Sequence, residues 1–275
     1  MILHLDPAAP FWMKAAAEGA LALHIAGATA ALISGPAAMI LKKGGRLHRL
    51  SGNVFFVSML VMTGIGAVVA PMLNDPFSAV GGAFGFYLTA TGWAAVIRAP
   101  GRIGRFEPLA LVFILGVGAA AVMLVSRGMS DPASLNGQPW QAGALFAGLC
   151  ALGAVSDISM ILRGGVSGPA RTARHLWRLC LALLVAYLSF TAQPKAQPEF
   201  LKHSPILMIP ALLVLIAMAW WLVKLALERR RPRAHSRGRS RWAPEPQPPL
   251  VAGAMPARRR APCQLQPRVS QATAK

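Results

Sequence analysis

Charge is scarce in this sequence, and negative charge scarcest of all. Of 275 residues only 13% are Asp, Glu, Lys or Arg, and nine of these are acidic against 28 basic. A solvated globular domain carries roughly a quarter charged residues, so a surface charged on all sides is excluded. Cysteine is nearly absent too. Cys150, Cys180 and Cys263 are too few and too scattered for a disulfide framework or a cysteine zinc site, and read as packing residues. No Walker loop, dinucleotide fingerprint, zinc-protease helix or nucleophile elbow occurs in a supporting context. The last apolar run has no lysine at its middle for a retinal Schiff base, since Lys224 lies near its end.

What the chain has in quantity is apolar length, with 55% hydrophobic residues. A bilayer core of about 30 Å needs ~20 helical residues. Seven stretches qualify, at 16–41, 51–73, 79–98, 107–126, 141–162, 176–193 and 205–226. In lipid every peptide group needs an internal partner, so the spans must be helices. The expected fold is an all-α integral membrane bundle of seven transmembrane helices. The expected organisation is a short segment 1–15, a transmembrane domain 16–228 and a basic tail 229–275.

The 28 basic residues are sorted by side. Lys42, Lys43, Arg46 and Arg49 follow the first span, Arg98, Arg102 and Arg105 the third, Arg163, Arg171, Arg174 and Arg178 the fifth, and Arg229, Arg230, Arg231 and Arg233 the seventh. The alternate side holds Lys14, Arg127, Lys195 and Lys202, with Asp6, Asp75, Asp131 and Glu199. Lys and Arg accumulate in cytoplasmic loops, which predicts the N-terminus outside and the C-terminus in the cytoplasm. The opening MILHLDPAAPFWMK lacks the basic n-region of a signal peptide, and the first span exceeds a cleavable apolar core, so it is expected to be retained. A pI near 11.6 would suggest nucleic acid if the cations shared a folded polar face. They lie between spans and in the tail instead, so no nucleic-acid partner is expected. The tail, rich in Arg, Pro and Ser, is expected to be disordered and to lie along anionic lipid.

Two stretches read as an internal parallel repeat, in which helices 1 and 2 correspond to 5 and 6. MILKKGGRLHRL from Met39 and MILRGGVSGPARTARHLWRL from Met160 each run from Met-Ile-Leu through a basic residue and glycine to a helix begun by His and Arg. His48 and His175 would then be symmetry mates. Two imidazoles with Arg49 and Arg178 for propionates could hold haem b in a bundle core, giving a membrane electron carrier. Equally, interfacial His and Arg bind lipid phosphates and helix ends. The hinge glycines Gly44 and Gly45 are expected to terminate helix 1.

Within the spans, His24, Glu18 and Asp157 are the intramembrane polar candidates, and such residues mark function or buried pairing. His24 lies on a stripe of small residues, Ala20, Ala28, Ala31 and Gly35, of the kind that lets membrane helices pack closely. It is expected to face the bundle, either as a structural histidine or as part of a small-solute or proton path. Gly35-Pro36 should kink that helix, with neighbours or Ser34 taking the freed backbone groups.

The stretches LHIAGATAALISGPAAMILKKGGRLHRLSGNVFFVSMLVM, GFYLTATGW, RHLWRLCLALLVAYLSF and IPALLVLIAMAWWLV resemble a group of bacterial predicted inner-membrane proteins catalogued as a domain of unknown function. The most specific pieces are His24, Gly35, Gly44, His48, Arg49 and Gly52, then His175, Trp177 and Arg178. The resemblance implies a bacterial multi-pass inner-membrane protein and no particular activity. A non-enzymatic membrane role is the leading expectation, with the haem carrier and the transporter as alternatives.

Overall fold

The computed structural model describes residues 10–131, 135, 138–193, 197 and 204–230. The first nine residues and the expected tail from residue 231 onward lie outside these. Seven helices follow in order: α1 Phe11–Ile40, α2 Arg46–Met72, α3 Pro76–Ile97, α4 Phe106–Ser130, α5 Trp140–Leu162, α6 Gly168–Thr191 and α7 Met208–Arg230, the last entered through a 3-10 turn at Pro205–Leu207. All seven are long and apolar enough to cross a membrane. The protein is a multi-pass membrane protein whose spans are helical.

The helices extend beyond the apolar runs. Helix α6 starts eight residues before the expected 176, at Gly168, because Pro169 suits a first helical turn and GPARTARH then continues the helix through polar residues. Hydropathy marks what the hydrocarbon covers; the hydrogen-bonded helix needs only a compatible backbone. Helix α3 starts from a local signal. Asp75 is its N-cap, its Oδ1 accepting from the Ser78 amide at 2.9 Å, with Pro76 next.

The Lys42–Arg49 hinge stands outside both helices up to Gly45, as expected, but its glycines act differently. Helix α1 ends earlier, at Ile40, through an extended Leu41. Lys42 to Gly45 then form a turn closed by the Gly45 amide on Lys42 O at 3.0 Å, with Gly44 at φ +75°. A positive φ at the third position of a turn is what glycine supplies. The α1 end is satisfied by cations: Lys43 Nζ donates to Met39 O and Ala38 O, and His48 Nδ1 donates to Ala38 O at 2.8 Å.

Pro36 has no N–H for Leu32 O, four residues back. Tyr187 of α6 donates its hydroxyl there at 2.8 Å, and Ser34 Oγ donates to Ala30 O. A neighbour thus takes the freed carbonyl, as the sequence predicts, and α1 remains one helix. Of the small-residue stripe, Ala31 and Gly35 are buried and Ala20, His24 and Ala28 half-buried, with Gly27 and Ser34 buried beside them.

Helix α3 is the hub. It packs on α2 and α6 extensively, on α4 less and on α5 lightly, while α1 pairs with α2, α4 with α5 and α6 with α7. Phe56 stacks on Trp93 at 4.1 Å between α2 and α3, and Phe146 of α5 meets Phe77 and Phe84 edge-on. The hairpins compared in the repeat differ: α1 and α2 pack along their lengths, whereas α5 and α6 approach mainly through side chains.

Candidate functional site

The site is built where α3, α5 and α6 converge near the basic end, the end carrying the α1–α2, α3–α4 and α5–α6 connections. Arg171, Arg174, His175 and Arg178 recur at three, four and seven residues, one face of a helix. That face of α6 meets α3 and α5. Asp157, five residues before the end of α5, receives two of these cations. Its Oδ1 accepts from Arg174 Nη2 and from Arg178 Nη2 at 2.5 Å, and its Oδ2 accepts the Tyr87 hydroxyl at 2.6 Å. Asp157 is 1% exposed, Tyr87 2% and Arg178 0%.

Glycines make this approach possible. A Cβ on Gly153, one turn before Asp157, would lie 3.2 Å from Tyr87 Cε1 and Oη, so glycine leaves room for the ring. On Gly92 it would lie 2.9 Å from Leu179 and 3.1 Å from Arg178 Cβ, so glycine lets α6 lie close on α3. His175 Nδ1 sits 2.9 Å from Gly92 O and must donate, because a carbonyl only accepts. Arg171 reaches the C-terminus of α3, donating to Ala95 O at 2.6 Å, to Val96 O and to Arg98 O at 2.9 Å. These are carbonyls that a helix end leaves without partners, at its negative pole.

The charges do not cancel. Two guanidinium groups face one carboxylate, leaving one net positive charge in a buried cluster. Arg178 Nε and Nη1 are buried without a hydrogen-bond partner. The guanidinium lies 4.9 Å from the Tyr87 ring centroid and 5.0 Å from that of Trp177. Those faces suit a cation but do not accept N–H bonds along its edge. Burying a donor unpaired costs about 1–3 kcal/mol, more for a charged group.

Above the cluster opens a small cleft, part of it open to the outside. Asp157 and Arg174 form its floor, and Arg98, Arg102, Arg171 and Glu107 its rim. Arg98 Nε pairs with Glu107 Oε1 at 2.9 Å, and Glu107 Oε2 accepts the Gly104 amide at 2.7 Å. The Gly101 amide donates to Val166 O at 3.1 Å, joining the two loops of the rim. Arg102 makes no hydrogen bond or ion pair among the described residues.

The candidates predicted from sequence fall into three places. Asp157 and Arg178 belong to this cluster, where they pair with each other. His48 and His175 each fix Nδ1 on a backbone carbonyl, that of Ala38 and that of Gly92. Arg49 caps its own hinge, donating to Gly44 O at 2.8 Å. His24 is half-buried against α2, its Nδ1 donating to Met62 O at 2.9 Å, a helix-pairing contact. Glu18 is exposed. Among the described residues no three His, Cys, Asp or Glu side chains gather as a metal site.

Tyr87 and the pairing of Arg174 with Asp157 escaped sequence reasoning. A usable signal existed, because the chain has only two tyrosines, both within apolar runs, and a buried tyrosine hydroxyl needs a partner. Both make inter-helix hydrogen bonds. No family model, curated protein or solved structure matches the chain.

Proposed function

We propose that this is a bacterial inner-membrane protein of the group it resembles, with its basic end in the cytoplasm, and that it binds a small anion in the cleft between α3, α4, α5 and α6 without transforming it. The observation that carries the reading is the surplus charge of the cluster: Arg174 in the lining and the fully buried Arg178 behind it share the one carboxylate of Asp157, and Arg178 keeps two unpartnered donors. The rim adds three more cations and one carboxylate. A buried ion cluster with surplus charge is costly unless something compensates it, and an anion entering from the basic end would do so.

The test is thermal unfolding of the purified protein in neutral detergent, titrated with the sodium salts of several anions at constant ionic strength. A ligand that binds only the folded state stabilises it by RT ln(1 + [L]/Kd), about 2.7 kcal/mol at a hundredfold excess over Kd. At least one anion should raise the melting temperature saturably. Equal, non-saturating effects from every salt would refute the reading.

The histidine pair supports a second reading, haem b binding. Metal-bound histidines donate their second ring nitrogen to a carbonyl or carboxylate, and both His48 and His175 have Nδ1 so anchored, leaving Nε2 with its lone pair. Protein purified from haem-supplemented cells should then show a Soret band that His175→Ala abolishes. A colourless preparation with no haem on extraction would sink this reading.

A further inference from the structure

We propose that the anion is a phosphate group, held between Arg102 at the rim and Arg174 at the floor of the cleft, with Arg178 buried behind Asp157; this rests on the anion-binding reading above. Counting Arg98, Arg102, Arg171 and Arg174 against Glu107 and Asp157, four cations face two anions in the lining, an excess of two, and Arg178 lies buried behind Asp157. A carboxylate or halide would offset one charge. A phosphate monoester carries about −1.5 to −2 with three strong acceptor oxygens.

The donors suit that shape. The guanidinium fork matches phosphate oxygens two at a time, which a lysine cannot do, and every cation in this cleft is arginine. Arg171 is held by α3 carbonyls and Arg98 by Glu107. Arg102 has no hydrogen bond or ion pair among the described residues, and Arg178, behind the floor, keeps Nε and Nη1 unpaired. The lining also includes Thr91 and the apolar side chains of Phe106, Ala110, Met160 and Val166. The wall therefore fits an ester with a short apolar portion.

The cleft lies at helix ends, at the depth where a bilayer presents its headgroups, and basic pockets between membrane helices on the cytoplasmic side recognise anionic lipid heads. The same chemistry could arrive on a soluble phosphate ester. The experiment separates the two sources.

The full-length protein is placed in nanodiscs of phosphatidylcholine with and without phosphatidylglycerol, and bound lipid is counted by native mass spectrometry. In parallel, lipid-stripped protein in detergent is titrated with inorganic phosphate, glycerol 1-phosphate, sulfate and acetate, read by melting temperature. Arg102→Gln is the test variant, since its exposed side chain makes no hydrogen bond or ion pair among the described residues. Arg105→Gln, exposed and outside the cleft, removes the same charge nearby.

Phosphate-bearing ligands should bind saturably, and Arg102→Gln should weaken them by about tenfold, the effect of one charge-assisted contact, while Arg105→Gln keeps wild-type affinity. Retained phosphatidylglycerol without a response to soluble phosphates assigns the site to lipid; saturable glycerol 1-phosphate binding without retained lipid assigns it to a soluble ester. Both support the phosphate class. Saturable sulfate or acetate binding with none by phosphates overturns it but leaves the anion reading standing. No saturable binding by any anion overturns both. Equal losses in the two variants show diffuse surface charge and overturn the placement at Arg102.

Discussion

Asp157→Asn should destabilise the protein by about 3–5 kcal/mol, the usual cost of breaking a buried ion pair by removing one partner. Asn keeps the shape of the side chain and can still accept from Tyr87. It removes the only negative charge against two guanidinium groups, one fully buried and the other nearly so. Two uncompensated cations would then share one low-dielectric site. Arg178→Met should cost much less, because it leaves Arg174 and Asp157 as a one-to-one pair and removes both unpartnered donors. The double variant should be less unstable than Asp157→Asn alone, since neighbouring charges are not additive. Thermal unfolding in detergent of the three proteins checks the order. An Asp157→Asn protein as stable as the wild type would mean that the cluster is not held by charge.

The Arg178→Met comparison also separates stability from binding. If the surplus guanidinium is kept for a ligand, its removal should abolish anion-dependent stabilisation while barely lowering, or even raising, the melting temperature without anion. A purely structural arginine would instead lose stability in every salt alike.

What could be read from the sequence followed from local physics. Seven apolar stretches with scarce charge required seven helices, because lipid offers backbone groups no other partner. Gly44 and Gly45 between cations required a break, and Pro36 required a partner for a carbonyl. The meeting of Asp157 with Arg174 and Arg178 depended on something the order of spans does not reveal: which helices are neighbours. Helices α5 and α6 adjoin in sequence yet pack little: α6 lies on α3 and α5 on α4, and the contribution of α3 to the cluster, Tyr87, carries no charge to draw attention. Arg178 was legible as a cation at a helix mouth, but its burial was not, because that depends on Gly92 and on the course of α6 before the apolar run begins.

Gly82→Ala should be the most damaging addition of a single methyl group. A Cβ there would lie 2.6 Å from Ala67 N, 2.9 Å from Thr63 O and 3.0 Å from Gly66 C, all backbone of α2. Backbone in a packed helix cannot turn aside as a side chain can, so α2 and α3 must separate. At Gly35 the same methyl would meet Leu183 and the Phe55 ring, which can rotate, so Gly35→Ala should cost less. At Gly116 it meets nothing within 4 Å, and the gain in helix propensity of about 1 kcal/mol should leave Gly116→Ala neutral or more stable. Overpacking costs typically about 1–3 kcal/mol, and Gly82→Ala should fall at or above the top of that range. Because α3 also carries Tyr87 and Gly92, displacing it should loosen the hold on Asp157 and weaken anion binding well away from the substitution. Melting temperatures of the three variants, with and without the stabilising anion, test both parts. A Gly82→Ala protein that matches Gly116→Ala would show that α2 and α3 do not approach as closely as their glycines permit.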